Sequence, residues 1–482
     1  MTPAIIIITI LAYFATILAI SWFTGRKADN AGFFSGNRRQ SWHVVAFAMI
    51  GSAMSGVTFV SVPGMVAASG FGYMQMTLGF IAGQLVIAFV LVPLFYKMNL
   101  VSIYGYLENR FGISSYRTGA WFFFISKMLG ASVRLYLVCI ALQLMVFTPL
   151  GVPFNVNVLV TVLVLLAYTY RGGVKAVIWI DFLKTFCMLV SIILCTIFIS
   201  KALGFTFGSM CHAVADSGMS RIFYFDDPDH PQYFFKQFFG GMFTLIAMTG
   251  LDQDMMQRSL SCRNVKDSQK NIITSALLQT VVIFLFLVLG VLLYLFAVTY
   301  RIPEAAGDRL FPAVATSGLL PALCGILFVL GLVSCSYAAG GSALTALTTS
   351  FTVDILGTKG RTETETKTLR QRVHIIMAAC MGLTIIIFSL LNNTSAIDAV
   401  YKLASYTYGP ILGMFAFGIL TRREVRDGCV PWVSIAAPLL CLVLQLNSER
   451  WFGGYQFSYE LLIFNALFTM LGLLACSRQG KA

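Results

Sequence analysis

Long apolar segments alternate with short polar ones along almost the whole chain. Segments of about 17–25 apolar residues can cross the hydrocarbon core of a bilayer as helices, and such segments recur throughout the 482 residues. The pattern predicts thirteen spans, at 3–23, 43–69, 73–96, 120–147, 156–170, 176–200, 234–251, 272–298, 322–352, 375–392, 396–420, 430–446 and 459–475. No polar gap is long enough for a soluble domain, so we expect an all-α polytopic membrane protein.

The ninth predicted helix differs from the others in its many small and hydroxylated residues. Ser334, Ala338, Ser342, Thr345 and Thr349 follow one another at spacings of three or four residues, which places them on one helical face. Small residues allow close helix packing, and hydroxyl groups in a bilayer need hydrogen-bond partners. This face is therefore either a tight helix–helix contact or the lining of an ion or solute site.

Two predicted helices carry glycine pairs that interrupt them. The second contains Gly51 and Gly56 around small polar residues, and the seventh contains Gly240-Gly241 and Thr249-Gly250. Glycine weakens a helix and frees backbone carbonyls, which at membrane depth is tolerated only beside protein or a wet cavity. Interrupted helices at the start of two five-helix segments are typical of transporters built from inverted repeats.

The interpretation as two inverted repeats divides the chain into five parts. Residues 1–42 contain an extra helix and a cytoplasmic loop, 43–200 the first repeat, 201–233 an extracellular loop, 234–420 the second repeat, and 421–482 two additional helices.

The placement of charge supports a membrane protein and gives its orientation. Only 11% of the residues are charged and 58% are hydrophobic, although the net charge is +13. Lys and Arg lie mainly in alternate loops, whereas the loop at 201–233 carries four Asp. This positive-inside pattern places the N-terminus outside and the C-terminus in the cytoplasm, in a plasma membrane such as the bacterial inner membrane. It argues against a nucleic-acid partner.

No residue pattern indicates an enzyme. The eleven Cys lie mostly within predicted spans, and no Cys or His spacing is typical of a zinc site. None of the four His pairs with a Ser or Cys in a hydrolytic arrangement, and no loop resembles a phosphate-binding one.

Charged residues inside spans are rare and therefore informative. Asp181 is either paired locally with Lys184 or a cation ligand. Lys127 lies near the end of its helix, from which we expect its long side chain to reach the interface. Arg134 lies near the middle of the same helix, so it needs an acidic partner, carbonyl groups or a bound anion.

Several motifs follow one another in a fixed order. They are Phe33-Phe34-Ser35-Gly36-Asn37-Arg38, the segment 104–112, the segment 168–181, Asp252-Gln253-Asp254-Met255-Met256-Gln257-Arg258 and Thr352-Val353-Asp354. In this order they resemble the sodium:solute symporter family, which includes the sodium–glucose, proline and sialic acid symporters. The resemblance implies the leucine-transporter-type fold, with two five-helix inverted repeats and extra helices at both ends, alternating access and sodium-driven uptake.

The resemblance also implies a sodium site, in which this chain departs from the family. By position, the carbonyl ligands are those of Gly51, Met54 and Cys335, and the two hydroxyl positions hold Ala338 and Ala339. A methyl group cannot bind a cation, so the site loses two oxygen ligands.

Three explanations of this loss remain. Sodium moves toward Asp181, Ser342 and Thr345; protons replace sodium through Asp181; or the ungapped alignment is displaced.

We expect the substrate at the break of the second helix, near the midplane. The expected lining is Ser52, Ser55 and Thr58, with Gln75, Thr77 and Arg134. These helices carry almost none of the Asn, Gln and Glu that a neutral sugar requires, and Arg134 favours an organic anion such as a sialic acid or another sugar acid.

The sequence thus predicts a secondary active transporter that couples uptake of a small organic solute to a cation, Na⁺ before H⁺. A proton-coupled symporter, a symporter of a neutral sugar or amino acid, and a membrane solute sensor without transport are the alternatives. We expect the solute and the lipid bilayer as partners, and a monomer or weak oligomer.

Overall fold

A computed structural model describes residues 3–25, 40–100, 102–303, 305–358, 360–391, 396–453, 455, 457 and 459–478. The described chain is mostly helical, and one short antiparallel ladder pairs β1 (Glu424–Val425) with β2 (Ser477–Arg478). The motif at 33–38 lies outside the described residues, as do most of the loop at 26–42 and the side chains of 171–176.

The helices follow the apolar segments of the sequence. They are α1 (Pro3–Gly25), α2 (Trp42–Ala53), α3 (Gly56–Gly64), α4 (Val66–Ser69), α5 (Tyr73–Val86), α6 (Val92–Lys97), α7 (Gly105–Arg110), α8 (Ile113–Leu142), α9 (Phe154–Ala202), α10 (Phe207–Ala215), α11 (Phe234–Leu245), α12 (Gln253–Ser259), α13 (Val265–Thr299), α14 (Leu310–Thr316), α15 (Ala322–Ser350), α16 (Glu363–Leu391), α17 (Ala396–Leu420), α18 (Val430–Leu446), α19 (Ser448–Trp451) and α20 (Leu461–Ala475). Wider π-helical turns extend several of them, at Ile87–Leu91, Gln143–Phe147, Ile246–Gly250 and Phe351–Ile355.

The predicted number of thirteen spans is not confirmed. Among the described residues, eight helices are long and apolar enough to cross a membrane, or ten if each of two bent pairs is one span. Three shorter apolar segments, Ile7–Phe23, Phe154–Tyr170 and Leu461–Ala475, lie at other predicted spans.

One helix, α9, covers the two spans predicted at 156–170 and 176–200. Its two halves run in opposite directions along α15: residue numbers rise together in the first half of α9, and in the second half they fall along α15 as they rise along α9. The contacts are Cys195 with Cys324 and Ser191 with Leu327 in one half, and Thr161 with Tyr337 and Tyr168 with Gly341 in the other. Opposite order is the pattern that two successive antiparallel spans produce.

Both glycine-rich interruptions are present as sharp bends. Helices α2 and α3 meet at 59° around Met54-Ser55, and α11 with its π-helical extension meets α12 at 73°. At the first bend, the Met54 N–H donates to the carbonyls of Ile50 and Gly51, at 3.3 and 3.2 Å. The hydroxyl of Thr58 accepts from the Ser55 N–H at 3.3 Å, so each half-helix has its own cap.

The hydroxyl-rich helix α15 lies at the centre of the bundle. From Ser334 to Ser350 every residue is buried except Ala339, which is partly exposed. Most of its hydroxyl groups donate to carbonyls one turn earlier, as Thr345 does to Gly341 at 2.9 Å. These polar groups are therefore satisfied within the helix, which leaves its small residues free to pack against α3, α8 and α9.

Candidate functional site

The two helix breaks face one cavity in the middle of the bundle. It offers about 130 Å³ of space to the centres of water molecules, and one water needs only about 10–15 Å³ on that measure. Its walls come from the α2–α3 break, α5, α8, α9, α11 with its π-helical extension, α12, α13, α15 and α17. The cavity is therefore large enough for a small organic solute beside an ion.

Most of the residues predicted for the site lie together here. Ser52, Met54, Ser55, Thr58, Arg134, Asp181, Ala339 and Ser342 line the cavity. Gly51, Cys335 and Ala338 are not in the lining, and Cys335 and Ala338 are buried. Thr345 lines a small adjoining space of about 10 Å³ together with Asp254 and Ser342.

Gln75 and Thr77 are not part of the cavity lining. The Gln75 amide donates to the carbonyl of Gln232 at 2.9 Å and accepts from the Tyr224 N–H at 3.0 Å, so it holds the loop at 201–233 against α5. The Thr77 hydroxyl donates to the Tyr73 carbonyl at 3.0 Å. Both side chains are buried by these contacts, which leaves neither available to a solute in the cavity.

A chain of buried charges forms one side of the cavity, and it begins at Lys127. The prediction that Lys127 reaches the membrane interface is wrong, because its ammonium is buried between two carboxylates of the second break. It lies 3.0 Å from Asp252 Oδ2 and 2.8 Å from Asp254 Oδ2. Asp252 also accepts from the Tyr408 hydroxyl at 2.6 Å and from the Met255 N–H at the start of α12.

The chain of charges continues through Arg258 to Asp181. Arg258 Nη2 lies 2.7 Å from Asp254 Oδ1, and its Nε lies 3.5 Å from Asp181 Oδ2. The local Asp181–Lys184 pair that the sequence left open is not formed within 4 Å. The cation partner of Asp181 comes instead from α12, on the other half of the molecule.

Asp181 keeps one carboxylate oxygen without a hydrogen-bond partner. Its Oδ2 accepts from the Ser52 hydroxyl at 2.9 Å, whereas its Oδ1 is buried and has none among the described residues. Ser342, expected beside Asp181, donates to Asp254 Oδ1 at 2.6 Å instead. Carboxylate oxygens are preferred ligands of hard cations, so Asp181 Oδ1 beside the cavity is suited to bind one.

Arg134 differs from the other cations of the cavity. Lys127 and Arg258 each contact two carboxylates, whereas the Arg134 guanidinium has no ion pair or hydrogen bond within the described part of the chain. It lies in the cavity lining and is partly exposed there. A guanidinium group matches a carboxylate with two parallel hydrogen bonds, so the cavity has a place for an organic anion.

Sequence reasoning missed Asp252, Asp254, Arg258 and Tyr408 as site residues. The motif at 252–258 served there only as part of a family resemblance. A signal was present, because a lysine within a span needs an acidic partner, and two carboxylates directly follow the glycine break at Thr249-Gly250. Within the described residues, no cluster of three or more His, Cys, Asp or Glu is arranged to hold a metal.

Comparisons with known proteins agree with this architecture. A sequence model of the sodium:solute symporter family matches residues 33–434. The sodium/sialic acid symporter NanT of Aliivibrio fischeri is 26% identical over 439 residues, covering 86% of this chain and 83% of the relative. The sodium/sialic acid symporter SiaT of Proteus mirabilis is 24% identical, covering 92% and 90%.

Two solved structures resemble the fold. A Na⁺-coupled sialic acid symporter in a substrate-bound outward-open state has a TM-score of 0.84 at 18% identity, and covers 99% of both chains. Mhp1, a transporter of the nucleobase-cation-symport-1 family, has a TM-score of 0.55 at 13% identity, and covers 93% of this chain and 94% of its own. These likenesses confirm the predicted all-α, leucine-transporter-type fold.

Proposed function

Because the chain belongs to the sodium:solute symporter family, we propose that it carries a small organic anion, such as a sialic acid or another sugar acid, into the cell together with Na⁺. The chain is a secondary transporter in a membrane and not an enzyme, and Na⁺ is the coupling ion of its family. Relatives named as sialic acid symporters support the choice of an anion.

The single observation that carries the proposal is the unpaired guanidinium of Arg134. Every other charged side chain of the cavity lining has an opposite charge within 4 Å. An unpaired charge at membrane depth costs several kcal/mol by order of magnitude, and a substrate carboxylate removes this cost. The hydroxyls of Ser55 and Thr58 line the same cavity and are available to the hydroxyl groups of a sugar acid.

We propose that Na⁺ binds at Asp181. Its free Oδ1 and its hydrogen bond to Ser52 connect the ion to the bend between α2 and α3. A bound Na⁺ and one anionic substrate add no net charge to the cavity. This neutrality gives a physical reason for cotransport, because each ligand lowers the electrostatic cost of burying the other.

Alternating access then requires the two bent helices, α2–α3 and α11–α12, to move relative to the other helices. We propose repeats at 43–200 and 234–420, with the N-terminus outside and the C-terminus in the cytoplasm, and a monomer or weak oligomer. The ion pairs between Lys127 of α8, Asp254 and Arg258 of α12, and Asp181 of α9 join elements of both repeats. They line the cavity together, and a relative movement of these helices must break them or carry them along.

Uptake into proteoliposomes tests the proposal. The purified protein is reconstituted, an inward Na⁺ gradient is imposed, and uptake of labelled N-acetylneuraminic acid is measured against competition by gluconate, galactose and proline. We expect uptake that needs Na⁺ and that only the acids inhibit. Arg134→Gln should reduce it by about 10-fold or more, since a charge-assisted contact contributes about 1.5–3 kcal/mol.

The matched control is Arg117→Gln, which removes an exposed arginine of the same helix. It should leave uptake unchanged. Arg134→Lys should retain part of the activity, since lysine keeps the positive charge but lacks the planar guanidinium group that forms two parallel hydrogen bonds. Competition by galactose or proline alone would exclude an anionic substrate, and uptake driven by a pH gradient without Na⁺ would exclude sodium coupling.

A further inference from the structure

Lys184 is a buried lysine without a partner. Its side chain is among the largest that are fully buried in the described protein. Its Nζ has no hydrogen bond, and no carboxylate lies within 4 Å of it in the described part of the chain. A cation at membrane depth without a counter-ion is expensive, so its position needs an explanation that packing does not provide.

Lys184 packs against the C-terminal end of α2, at the first helix break. Its Cδ lies 3.4 Å from the point that a Cβ on Gly51 would occupy, against the last turn of α2. This turn is the C-terminal end of a half-helix, and its carbonyl groups are directed toward the break. The C-terminal end of a helix carries partial negative charge and favours a cation, and the ends of broken helices hold the coupling ions of transporters.

The residues of α15 beside this point do not suit a free Na⁺. Cys335 and Asp181 both lie close enough to Lys184 to act electrostatically on its ammonium. The next turn holds Ala338 and Ala339, so no hydroxyl of α15 points to the break from these positions. Hard cations prefer several oxygen ligands, and two methyl groups do not replace the two missing hydroxyls.

The charges that line the cavity balance without Lys184, so Lys184 is an additional positive charge beside it. Three carboxylates, Asp181, Asp252 and Asp254, line the cavity. Two of the cations, Lys127 and Arg258, make ion pairs with them. The third cation of the lining is Arg134, and Lys184 is a fourth cation, on the same helix as Asp181 and one turn away.

We propose that the ammonium of Lys184 is a tethered cation at the α2–α3 break, and that it takes the place of a free coupling ion there. The inference rests on the proposed function for the solute and for the Na⁺ at Asp181. A tethered cation cannot leave with the substrate, so it adds nothing to the driving force. Transport then uses only the Na⁺ at Asp181, and its rate depends on Na⁺ concentration to the first order.

Counting bound Na⁺ tests this inference without a substrate. Binding of ²²Na⁺ to the purified full-length protein is compared for the wild type, the double variant Ala338→Ser/Ala339→Thr, and the triple variant that adds Lys184→Met. We expect the triple variant alone to gain about one Na⁺ per protein, because only there are the hydroxyl ligands present and the competing ammonium absent. A triple variant that carries Lys184→Arg instead of Lys184→Met should not show this gain of Na⁺.

Each result either supports or contradicts the tethered cation. A gain in the double variant, in which Lys184 remains, overturns the proposal, as does a triple variant that folds, as judged by a monodisperse elution profile, and gains no Na⁺. If the triple variant does not fold, the double variant decides, and an unchanged Na⁺ count there supports the tethered cation. Binding of labelled N-acetylneuraminic acid is measured in parallel, and its absence with the expected Na⁺ counts would contradict the proposed substrate only.

Discussion

The ammonium of Lys127 lies between Asp252 and Asp254, 3.0 Å from a carboxylate oxygen of the first and 2.8 Å from one of the second. One side chain of α8 thus pairs with two carboxylates that follow the second helix break. All three side chains are buried. The pairing therefore joins α12, which follows the second helix break, to α8.

Lys127→Met should destabilise the protein strongly. It leaves two neighbouring carboxylates with one cation, Arg258, and removal of one partner of a buried ion pair costs about 3–5 kcal/mol. Thermal unfolding in detergent measures the effect. Lys201→Met, which removes an exposed lysine at the end of α9, should change the unfolding temperature little.

The double variant Lys127→Met/Asp252→Asn should recover part of the loss, since Lys127 is the ion-pair partner of Asp252 among the described residues and the double variant removes both charges. Equal stability of Lys127→Met and the wild type would show that the ion pairs contribute nothing to the fold.

Asp181→Asn should weaken Na⁺ binding while the protein still folds. Arg258 keeps its closer contact with Asp254, so no guanidinium is left unpaired. Loss of a charged oxygen ligand should raise the Na⁺ concentration for half-maximal uptake by about tenfold or more, since such a contact contributes about 1.5–3 kcal/mol. The measurement is initial uptake against Na⁺ concentration in proteoliposomes.

The matched control for this variant is Asp216→Asn, in the loop at 201–233, where the side chain is exposed. It should leave the Na⁺ dependence unchanged. An unaltered Na⁺ dependence in Asp181→Asn would remove Asp181 from the cation site.

Gly79→Ala should disturb the contact between α5 and α11. A Cβ at Gly79 would lie 2.1 Å from the carbonyl oxygen of Phe238, and one at Gly241 of the facing helix 2.4 Å from that of Met76. Backbone cannot move aside as a side chain does, so we expect a loss of about 1–3 kcal/mol. Thermal unfolding of the purified protein measures it.

Gly208→Ala in α10 provides the control, because nothing lies within 4 Å of a Cβ there. It should be neutral or slightly stabilising, since alanine favours a helix more than glycine does. If the two variants unfold at the same temperature, the close contact at Gly79 does not stabilise the packing of α5 against α11.

The sequence by itself determined the apolar helices, the two interruptions and the hydroxyl-rich helix at the centre. These features follow from local chemistry: the length of an apolar run, the helix-breaking effect of glycine, and the spacing that gathers small residues on one face. The ordered motifs also identified the family, and most of the predicted site residues line the cavity.

Only the tertiary structure decided which charges meet. Lys127, Asp254, Arg258 and Asp181 come from three helices far apart in the chain, and no local pattern specifies their pairing. The same limit explains Gln75, whose partners belong to a distant loop. Lys184 is the clearest case, because the sequence offered it Asp181 one turn away, whereas its ammonium has no hydrogen bond and its Cδ packs against the last turn of α2. Long-range contacts set the environment of a charge, and in a membrane interior that environment determines what the charge does.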